Sequence, residues 1–221
     1  MSAKHSIKVA AILLLLGATA SSLAQAPQFT VIKGKTDADG FPVSGATVCL
    51  QATSSCFQMP DLTDNTVTYQ FGLDPHMKVV QNLFSPWLLF DATFSGGGSG
   101  TLTRYAVLRV NGNSFTNLLP KLTLTNVSDF AVWNEKRLSK YPLLITADFI
   151  WNFAAKETHF SPHYFTVDVW RYSPTANIYQ KVLTYKTSKR YNTFDSGDVI
   201  TVIAPERSQI LRRLSTLTPN H

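Results

Sequence analysis

The sequence predicts a mainly β protein, a β-sandwich or barrel-like domain with one C-terminal helix. Three observations predict this class. The 221 residues are 44% hydrophobic and 12% aromatic but only 15% charged, a composition that supplies a packed core and excludes a coiled coil or a mainly disordered chain. Short runs rich in β-branched and aromatic residues recur, with turn residues between them. A helical stripe of apolar residues follows the last of these runs.

The chain opens with the residue order of a secretory signal peptide. Lys4 and Lys8 precede an unbroken apolar run over residues 9–16, and small residues follow that run. The run is well short of the ~20 residues that a membrane-spanning helix needs. Cleavage is therefore predicted after Ala24 or after Ala26, and an uncleaved membrane anchor is the alternative.

Removal of residues 1–24 as a signal peptide predicts a single β-rich domain over residues 25–221, in the periplasm or outside the cell. Lys plus Arg then falls from 20 to 18 against 14 acids, so the net charge is about +4. This mild charge permits attraction to an anionic surface. The chain has no recognised nucleic-acid-binding motif and no later apolar stretch long enough to span a bilayer. The sequence therefore predicts neither a nucleic-acid partner nor a transmembrane segment after signal removal.

The two cysteines, Cys49 and Cys56, are predicted to form a disulfide bond, which suits an oxidising compartment. If Ala52 and Thr53 make a two-residue turn, the cysteines lie directly opposite each other in a hairpin. Opposite residues in such a pair are about 4.5–5.5 Å apart, within the range of disulfide geometry. A redox-active pair would favour a C-x-x-C spacing, which these cysteines lack. Residues 25–60 are therefore predicted to form an N-terminal hairpin segment.

Strand-like runs account for most of the chain after the signal peptide. In the longest run, Phe165, Val167 and Val169 point to one face of the strand. Trp170 and Tyr172 fall on the other face, so this strand is predicted to be covered on both sides near its end. Together the runs predict strands over residues 29–32, 47–50, 66–71, 88–94, 104–110, 122–125, 143–149, 164–172 and 179–185.

One helix is predicted over residues 204–217. Pro205 suits the first turn of a helix, and Glu206 complements the partial positive charge at the helix N-terminus. Arg212 and Arg213 lie late, where cations suit the helix dipole. The apolar stripe predicts a helix that packs on the domain, with a membrane-surface helix as the alternative. The stripe consists of Ile210, Leu211, Leu214 and Leu217.

Two segments of the chain are similar enough to predict an internal repeat. Residues 88–94 match residues 143–149 at an offset of 55, and a loop, a second strand and a return strand follow each segment. The candidate units span residues 86–125 and 141–187. A three-strand unit used twice favours a pseudo-symmetric sandwich or barrel. Chance similarity between two apolar strands is the alternative.

A turn near the N-terminus carries a family resemblance. Residues 34–48 read GKTDADGFPVSGATV. Asp39 and Gly40 supply a turn with a left-handed position, and Gly45 relieves a tight approach before the next strand. This pattern resembles the opening of carboxypeptidase-regulatory-like β-sandwich domains, in which a turn of the type D-x-x-G-x-P-V-x-G-A joins two strands. The resemblance implies a secreted β element and brings no catalytic residue with it.

The best cluster of reactive side chains lies directly before the longest strand. Glu157, His159 and His163 offer one carboxylate and two imidazoles, which are suitable zinc ligands. Pro162 prevents the helix that would align a zincin-type pair. The cluster therefore makes a zinc site the alternative to a protein without a cofactor. In the other interpretation these are loop residues, with His163 hydrogen-bonded to the backbone.

Aromatic residues supply the candidate ligand surface. Trp151, Trp170 and Tyr172 are predicted to stack against a glycan, a peptidoglycan fragment or a peptide, and core packing is the alternative. A basic run favours an acidic protein as partner, with a solvated face as the alternative. That run consists of Lys181, Lys186, Lys189, Arg190, Arg207, Arg212 and Arg213.

These observations support three hypotheses about function. No convincing catalytic constellation occurs, so the first hypothesis is an exported, non-enzymatic binding or cell-envelope-associated protein that recognises a glycan or a protein partner. The second is a metal-dependent hydrolase that uses His159 and His163. The third is a small inhibitor or immunity-type protein whose basic surface blocks an acidic enzyme.

Overall fold

The computed structural model of the protein describes residues 28–81, 87–96, 100–152, 154, 156–158, 160–192 and 200–217. The predicted signal peptide lies outside these residues. The described residues form four β-sheets and one helix, which confirms the mainly β class with a C-terminal helix. Three of the sheets and the helix are stacked as layers, and an apolar core fills the space between each pair of neighbouring layers.

The first layer, sheet I, has three antiparallel strands in chain order: β1 (Phe29–Ile32), β2 (Thr47–Leu50) and β3 (Cys56–Gln58). Cys49 lies directly opposite Cys56, and the two residues form the predicted disulfide bond, with Cα atoms 4.0 Å apart. Ser54 in the connecting turn has a φ of 56°. A separate ribbon follows sheet I and consists of β4 (Leu62–Asp64) and β5 (Val67–Tyr69).

The turn before β2 has the geometry that the sequence predicts. Gly40 has a φ of +85°, which is the left-handed region that favours glycine. The Asp37 carboxylate accepts hydrogen bonds from two backbone N–H groups of the turn, at 3.0 and 2.8 Å. A Cβ at Gly45 would lie 2.2 Å from the carbonyl oxygen of Met59. The close approach of the two backbones therefore requires glycine at this position.

The second layer, sheet II, is antiparallel and consists of β6 (Leu73–Val80), β7 (Trp87–Ser95), β8 (Thr101–Asn111), β9 (Ser114–Asn117) and β10 (Leu122–Thr125). The strand order is β10-β8-β7-β6, and β9 also pairs with β8. Since β10 has four residues, it pairs with less than half of β8. The edge of sheet II that β10 forms is therefore short.

The third layer, sheet III, consists of β11 (Ser128–Trp133), β12 (Leu143–Ile150), β13 (Tyr164–Ser173) and β14 (Ile178–Lys186), in chain order and antiparallel. The register between β13 and β14 shifts after Val169. Val169 pairs with Leu183, but the next residue, Trp170, pairs with Lys181, which leaves Val182 as an extra residue in β14. This β-bulge brings Lys181 to the same face of the sheet as Thr184.

Sheets II and III are each covered on both faces. Sheet I packs on the outer face of sheet II, through residues that include Val48, Phe71, Leu88 and Phe90. The inner faces of sheets II and III share a core that includes Trp87, Leu89, Leu144, Tyr172 and Tyr179. Within it, the Trp87 ring lies parallel to that of Tyr141, at 5.4 Å, and meets Tyr172 and Tyr179 edge-on. The predicted covering of β13 on both sides is confirmed.

The two candidate repeat units form the same antiparallel meander of three strands, β7-β8-β9 and β12-β13-β14. Leu88 and its counterpart Leu143 both face away from the shared core, toward sheet I and toward the helix. Leu89 and its counterpart Leu144 both face the shared core. Equivalent positions therefore have equivalent surroundings, as in a pseudo-symmetric sandwich, and the origin of the two units by duplication stays a prediction.

The last layer is helix α1 (Ile203–Leu217), which confirms the predicted helix. The Asp129 carboxylate accepts hydrogen bonds at 2.9 and 2.8 Å from two backbone N–H groups at the start of the helix. Glu206 is buried, and its carboxylate accepts hydrogen bonds from the hydroxyl groups of Tyr185 and Tyr191. Within the described part of the chain, no helix has the length and apolar character that crossing a membrane requires.

Candidate functional site

A polar groove lies between the edge strand β10 and the inner face of sheet III. The groove is a cavity of about 310 Å³. Its floor follows from alternation along two strands, because in the part of β12 and β13 beside the groove polar residues point inward while their neighbours in sequence point apolar side chains toward α1. The polar residues that line the groove include Thr123, Thr146, Thr166, Asp148, Asp168 and Lys181.

The groove lies where the shared core ends. At one end of sheet III, inward-facing residues are apolar and pack against sheet II. At the other end β10 is the facing wall, and the inward-facing residues are hydroxyls and carboxylates. Thr146 lies opposite Asp168 in the register, and Asp148 lies opposite Thr166, so the polar side chains form two adjacent cross-strand pairs.

Asp148 is held by hydrogen bonds on both carboxylate oxygens. The Thr125 hydroxyl donates to Oδ1 at 2.5 Å and the Phe149 N–H donates to the same atom at 3.1 Å, while the Thr125 N–H donates to Oδ2 at 3.5 Å. Burial raises the pKa of Asp148 above the ordinary value, the bonds from Thr125 and Phe149 lower it in part, and the negative charge of Asp168 raises it. The carboxylate thus fixes the corner between β10 and β11.

Asp168 is paired inside the same groove. Its Oδ1 accepts a hydrogen bond from the Thr184 hydroxyl at 2.7 Å, and its Oδ2 lies 2.7 Å from the ammonium nitrogen of Lys181. That ammonium also lies 5.1 Å from the centre of the Trp170 ring. Lys181 reaches both partners because of the bulge in β14. The groove therefore presents a carboxylate, an ammonium and an indole side by side.

Trp170 is the sequence-predicted ligand residue that the structure places in the groove. Its ring is half-buried and packs against the shared core. Its indole N–H is buried and has no hydrogen-bond acceptor among the described residues. A buried donor without a partner costs free energy, so Trp170 is held in this position by the packing of its ring rather than by a hydrogen bond.

The other two predicted ligand residues lie elsewhere. Tyr172 is 7% exposed in the shared core, and its hydroxyl donates to Asn177 Oδ1 at 2.7 Å. Trp151 is half-buried, and its ring is stacked on the imidazole of His163, 5.8 Å away. The structure therefore does not bring Trp151, Trp170 and Tyr172 together into one surface.

The predicted metal set is only partly described, because His159 lies outside the described residues. Glu157 and His163 are in contact: Glu157 Oε2 lies 3.2 Å from His163 Nδ1, and His163 Nε2 lies 2.9 Å from the carbonyl oxygen of Thr158. Arg190 binds the other Glu157 oxygen at 2.7 Å. Both imidazole nitrogens thus have protein partners. Across the described ranges, no group of three or more His, Cys, Asp or Glu residues is placed to hold a metal ion.

Thr166 and Asp168 line the groove but are not among the sequence-predicted site residues. The usable signal is the polar residue at every second position of residues 164–170, together with the same alternation at Thr146 and Asp148 in the neighbouring strand. The sequence of β10, the strand opposite, gives no such signal. Its position beside the groove depends on how sheets II and III pack together.

Comparison with known proteins adds little to this geometry. No family model matches the chain, and no curated protein matches it. One solved structure, titled "Crystal structure of CarG", aligns with 63% of this chain and 100% of its own chain, at 13% identity and a TM-score of 0.37. A TM-score this low carries no argument. The resemblance of residues 34–48 to carboxypeptidase-regulatory-like domains therefore stays a prediction.

Proposed function

We propose that this protein is an exported, non-enzymatic binding module and that the polar groove is the site where it contacts a glycan. One observation carries the proposal: hydroxyls, two carboxylates, two lysines and an indole line one cavity of about 310 Å³. Sugar hydroxyls both donate and accept hydrogen bonds, and the apolar faces of sugar rings pack on aromatic side chains. The groove offers a partner for each of these features.

The rigidity of the groove supports the same function. All of its lining residues except Lys121 lie on paired strands. Asp148 and Asp168 each accept at least two hydrogen bonds or ion-pair contacts that hold them in place. A site with fixed side chains loses little conformational entropy when a ligand binds.

Export to the periplasm or the extracellular space is part of the proposal. The signal-peptide pattern of residues 1–24 supports it. The disulfide between Cys49 and Cys56 supports it as well, because such bonds persist in oxidising compartments.

The test measures glycan binding by the chain from residue 25 onward, using calorimetric titration with soluble oligosaccharides and peptidoglycan fragments. We expect Trp170→Leu to weaken binding by about tenfold, because an aromatic contact contributes about 0.5–1.5 kcal/mol beyond its buried area. Trp170→Phe keeps an aromatic ring at this position but removes the N–H and part of the indole surface, so it is expected to weaken binding less than Trp170→Leu. Trp133→Leu is the matched control, since Trp133 lies under Arg207 of α1, outside the groove.

Two outcomes would contradict the proposed site. The first is that no glycan in the panel binds the folded protein. The second is that Trp170→Leu binds a glycan as tightly as the unaltered chain does. Circular dichroism of each variant shows whether it folds, so a loss of binding through unfolding is recognised.

A further inference from the structure

After residue 24, the excess of basic over acidic residues lies entirely in the second half of the chain. Residues 25–126 contain six basic and six acidic residues, and they are therefore neutral. Residues 127–221 contain 12 basic and 8 acidic residues, which accounts for the whole charge of about +4. This part of the chain forms sheet III and α1. The positive charge therefore belongs to the part of the chain that contains sheet III, α1 and the loops between them.

Burial separates the two signs of charge further. Among the described residues after 126, none of the six acidic side chains is exposed, whereas eleven of the twelve basic side chains are. The acids serve internal contacts: Asp129 caps α1, Glu157 binds His163 and Arg190, and Glu206 accepts two phenol hydroxyls. The exposed charged side chains among these described residues are thus all basic.

Cations also lie over the aromatic rings along the inner face of sheet III. Tyr164 and Trp170 project from the same face of β13, six residues or ~20 Å apart along the strand. Lys181 lies over the Trp170 ring. Lys186 and Arg190 lie over the Tyr164 ring, at 4.3 and 5.0 Å from its centre. Lys186 has no ion-pair partner among the described residues.

From this arrangement we infer that the glycan bound by the groove is anionic. The inference rests on the proposed function and extends it along β13. A polysaccharide with carboxylate or sulfate groups would place sugars over Thr166 and Asp168 and negative groups against Lys181 at one end and Lys186 at the other. Hydrogen bonds from Thr125 and Thr184 do not cancel the charges of Asp148 and Asp168, so the negative groups of the ligand must lie against the lysines and its neutral hydroxyls must lie over the carboxylates.

The experiment compares polymers that share a backbone and differ in charge. Polygalacturonate is compared with its fully methyl-esterified form, and dextran sulfate with dextran, in titrations of the chain from residue 25 onward. Polyglutamate is included as a polyanion without sugars. We expect the anionic member of at least one pair to bind at least tenfold more tightly than its neutral partner and than polyglutamate, and to weaken as salt is added.

Single substitutions then locate the site. We expect Lys181→Gln and Lys186→Gln each to weaken binding of the anionic glycan by about fivefold, the effect of one partly exposed charge pair. Lys78→Gln is the matched control and leaves binding unchanged, because Lys78 is an exposed lysine of β6, in sheet II. Lys78 and Lys186 are exposed and have no ion-pair partner among the described residues. Lys181→Gln removes the ion-pair partner of Asp168, so circular dichroism checks that this variant folds before its binding is compared.

The outcomes separate this inference from the proposed function. Equal binding of charged and neutral polymers would overturn the inference and leave glycan binding standing. Equal binding of polyglutamate would overturn it in favour of an acidic polypeptide partner. Failure of both anionic glycans to bind, or insensitivity of their binding to Lys181 and Lys186, would overturn it too. The Trp170 variants with the wider panel decide the proposed function independently.

Discussion

The buried carboxylate of Glu206 joins α1 to sheet III, and its removal is expected to destabilise the protein strongly. The carboxylate accepts hydrogen bonds from Tyr185 at 2.9 Å and from Tyr191 at 2.5 Å. Burial first, and the bond to Glu206 second, raise the pKa of both phenols above the ordinary tyrosine value. Both phenols therefore remain protonated donors at every pH at which the protein is used.

The size of the effect follows from these contacts. Glu206→Leu leaves two buried phenol hydroxyls without an acceptor, at a cost of about 1–3 kcal/mol each. Removing a buried carboxylate recovers part of its desolvation penalty. We expect a net loss of about 2–4 kcal/mol from the free energy of unfolding. The free energy of unfolding of a typical domain is about 5–15 kcal/mol. The expected loss is therefore a large fraction of the stability.

Urea unfolding of the chain from residue 25 onward, followed by circular dichroism, measures this loss as a shift of the midpoint at constant slope. The decisive control is the triple variant Glu206→Leu, Tyr185→Phe, Tyr191→Phe. Removing donors and acceptor together is nearly neutral when the shape is kept, so the triple variant is expected within about 1 kcal/mol of the unaltered protein. A loss below about 1 kcal/mol for Glu206→Leu would refute the reasoning. So would a triple variant that is no more stable than Glu206→Leu alone.

Two further predictions concern the groove and the turn before β2. Burial raises the pKa of Asp148 in the folded protein, so the fold favours the protonated form of this side chain. The contribution of Asp148 to stability is therefore expected to fall as the pH rises from the unfolded-state pKa, about 3.9, through the higher pKa of the folded state. Urea unfolding of the unaltered protein and of Asp148→Asn at several pH values tests this, because the substitution removes that part of the pH dependence. If the free energy of unfolding depends on pH in the same way in both proteins, the prediction is wrong. Gly45→Ala is expected to cost about 2 kcal/mol or more, because its Cβ would lie 2.2 Å from the Met59 carbonyl oxygen. Gly40→Ala meets no atom within 4 Å and is expected to cost only about 1 kcal/mol, through its positive φ. Thermal unfolding that ranks the two glycines the other way would show the close approach to be unimportant.

Several elements could be predicted from local sequence because their signals are local. The bounds of β1, β2 and β10 agree with the predicted runs, and α1 begins one residue before its predicted start. Turn residues and apolar periodicity depend only on neighbours in the chain. The pairing of Cys49 with Cys56 was predictable for the same reason, since one short turn determines their register.

Other elements could not be predicted this way. Strand β6 is absent from the predicted runs, because it contains Pro75 and charged residues and shows a register irregularity between Leu73 and His76. Strand β11 is absent as well, because every residue in it is half-buried, so that no alternation is visible. Both are strands at the edge of a sheet, where one side lacks a neighbour and the apolar signal is weak.

The groove depends on two features that sequence periodicity does not reveal. Strict alternation along β14 would place Lys181 on the face opposite Thr184, and only the bulge at Val182 puts them on one face. The wall that β10 forms opposite Asp148 and Asp168 depends on how sheets II and III stack. Stacking is a tertiary property, so the residues of the site were recognisable only in part.

The aromatic cluster in the shared core has a consequence for spectroscopy. Trp87 belongs to sheet II, whereas its ring neighbours Tyr141, Tyr172 and Tyr179 lie in or beside sheet III. Rigidly packed aromatic rings give near-ultraviolet circular dichroism that vanishes when fixed packing is lost, even where strands persist. Docking of the two central sheets thus has its own optical signature. Ligands or substitutions that loosen the interface between them can be detected without any added label.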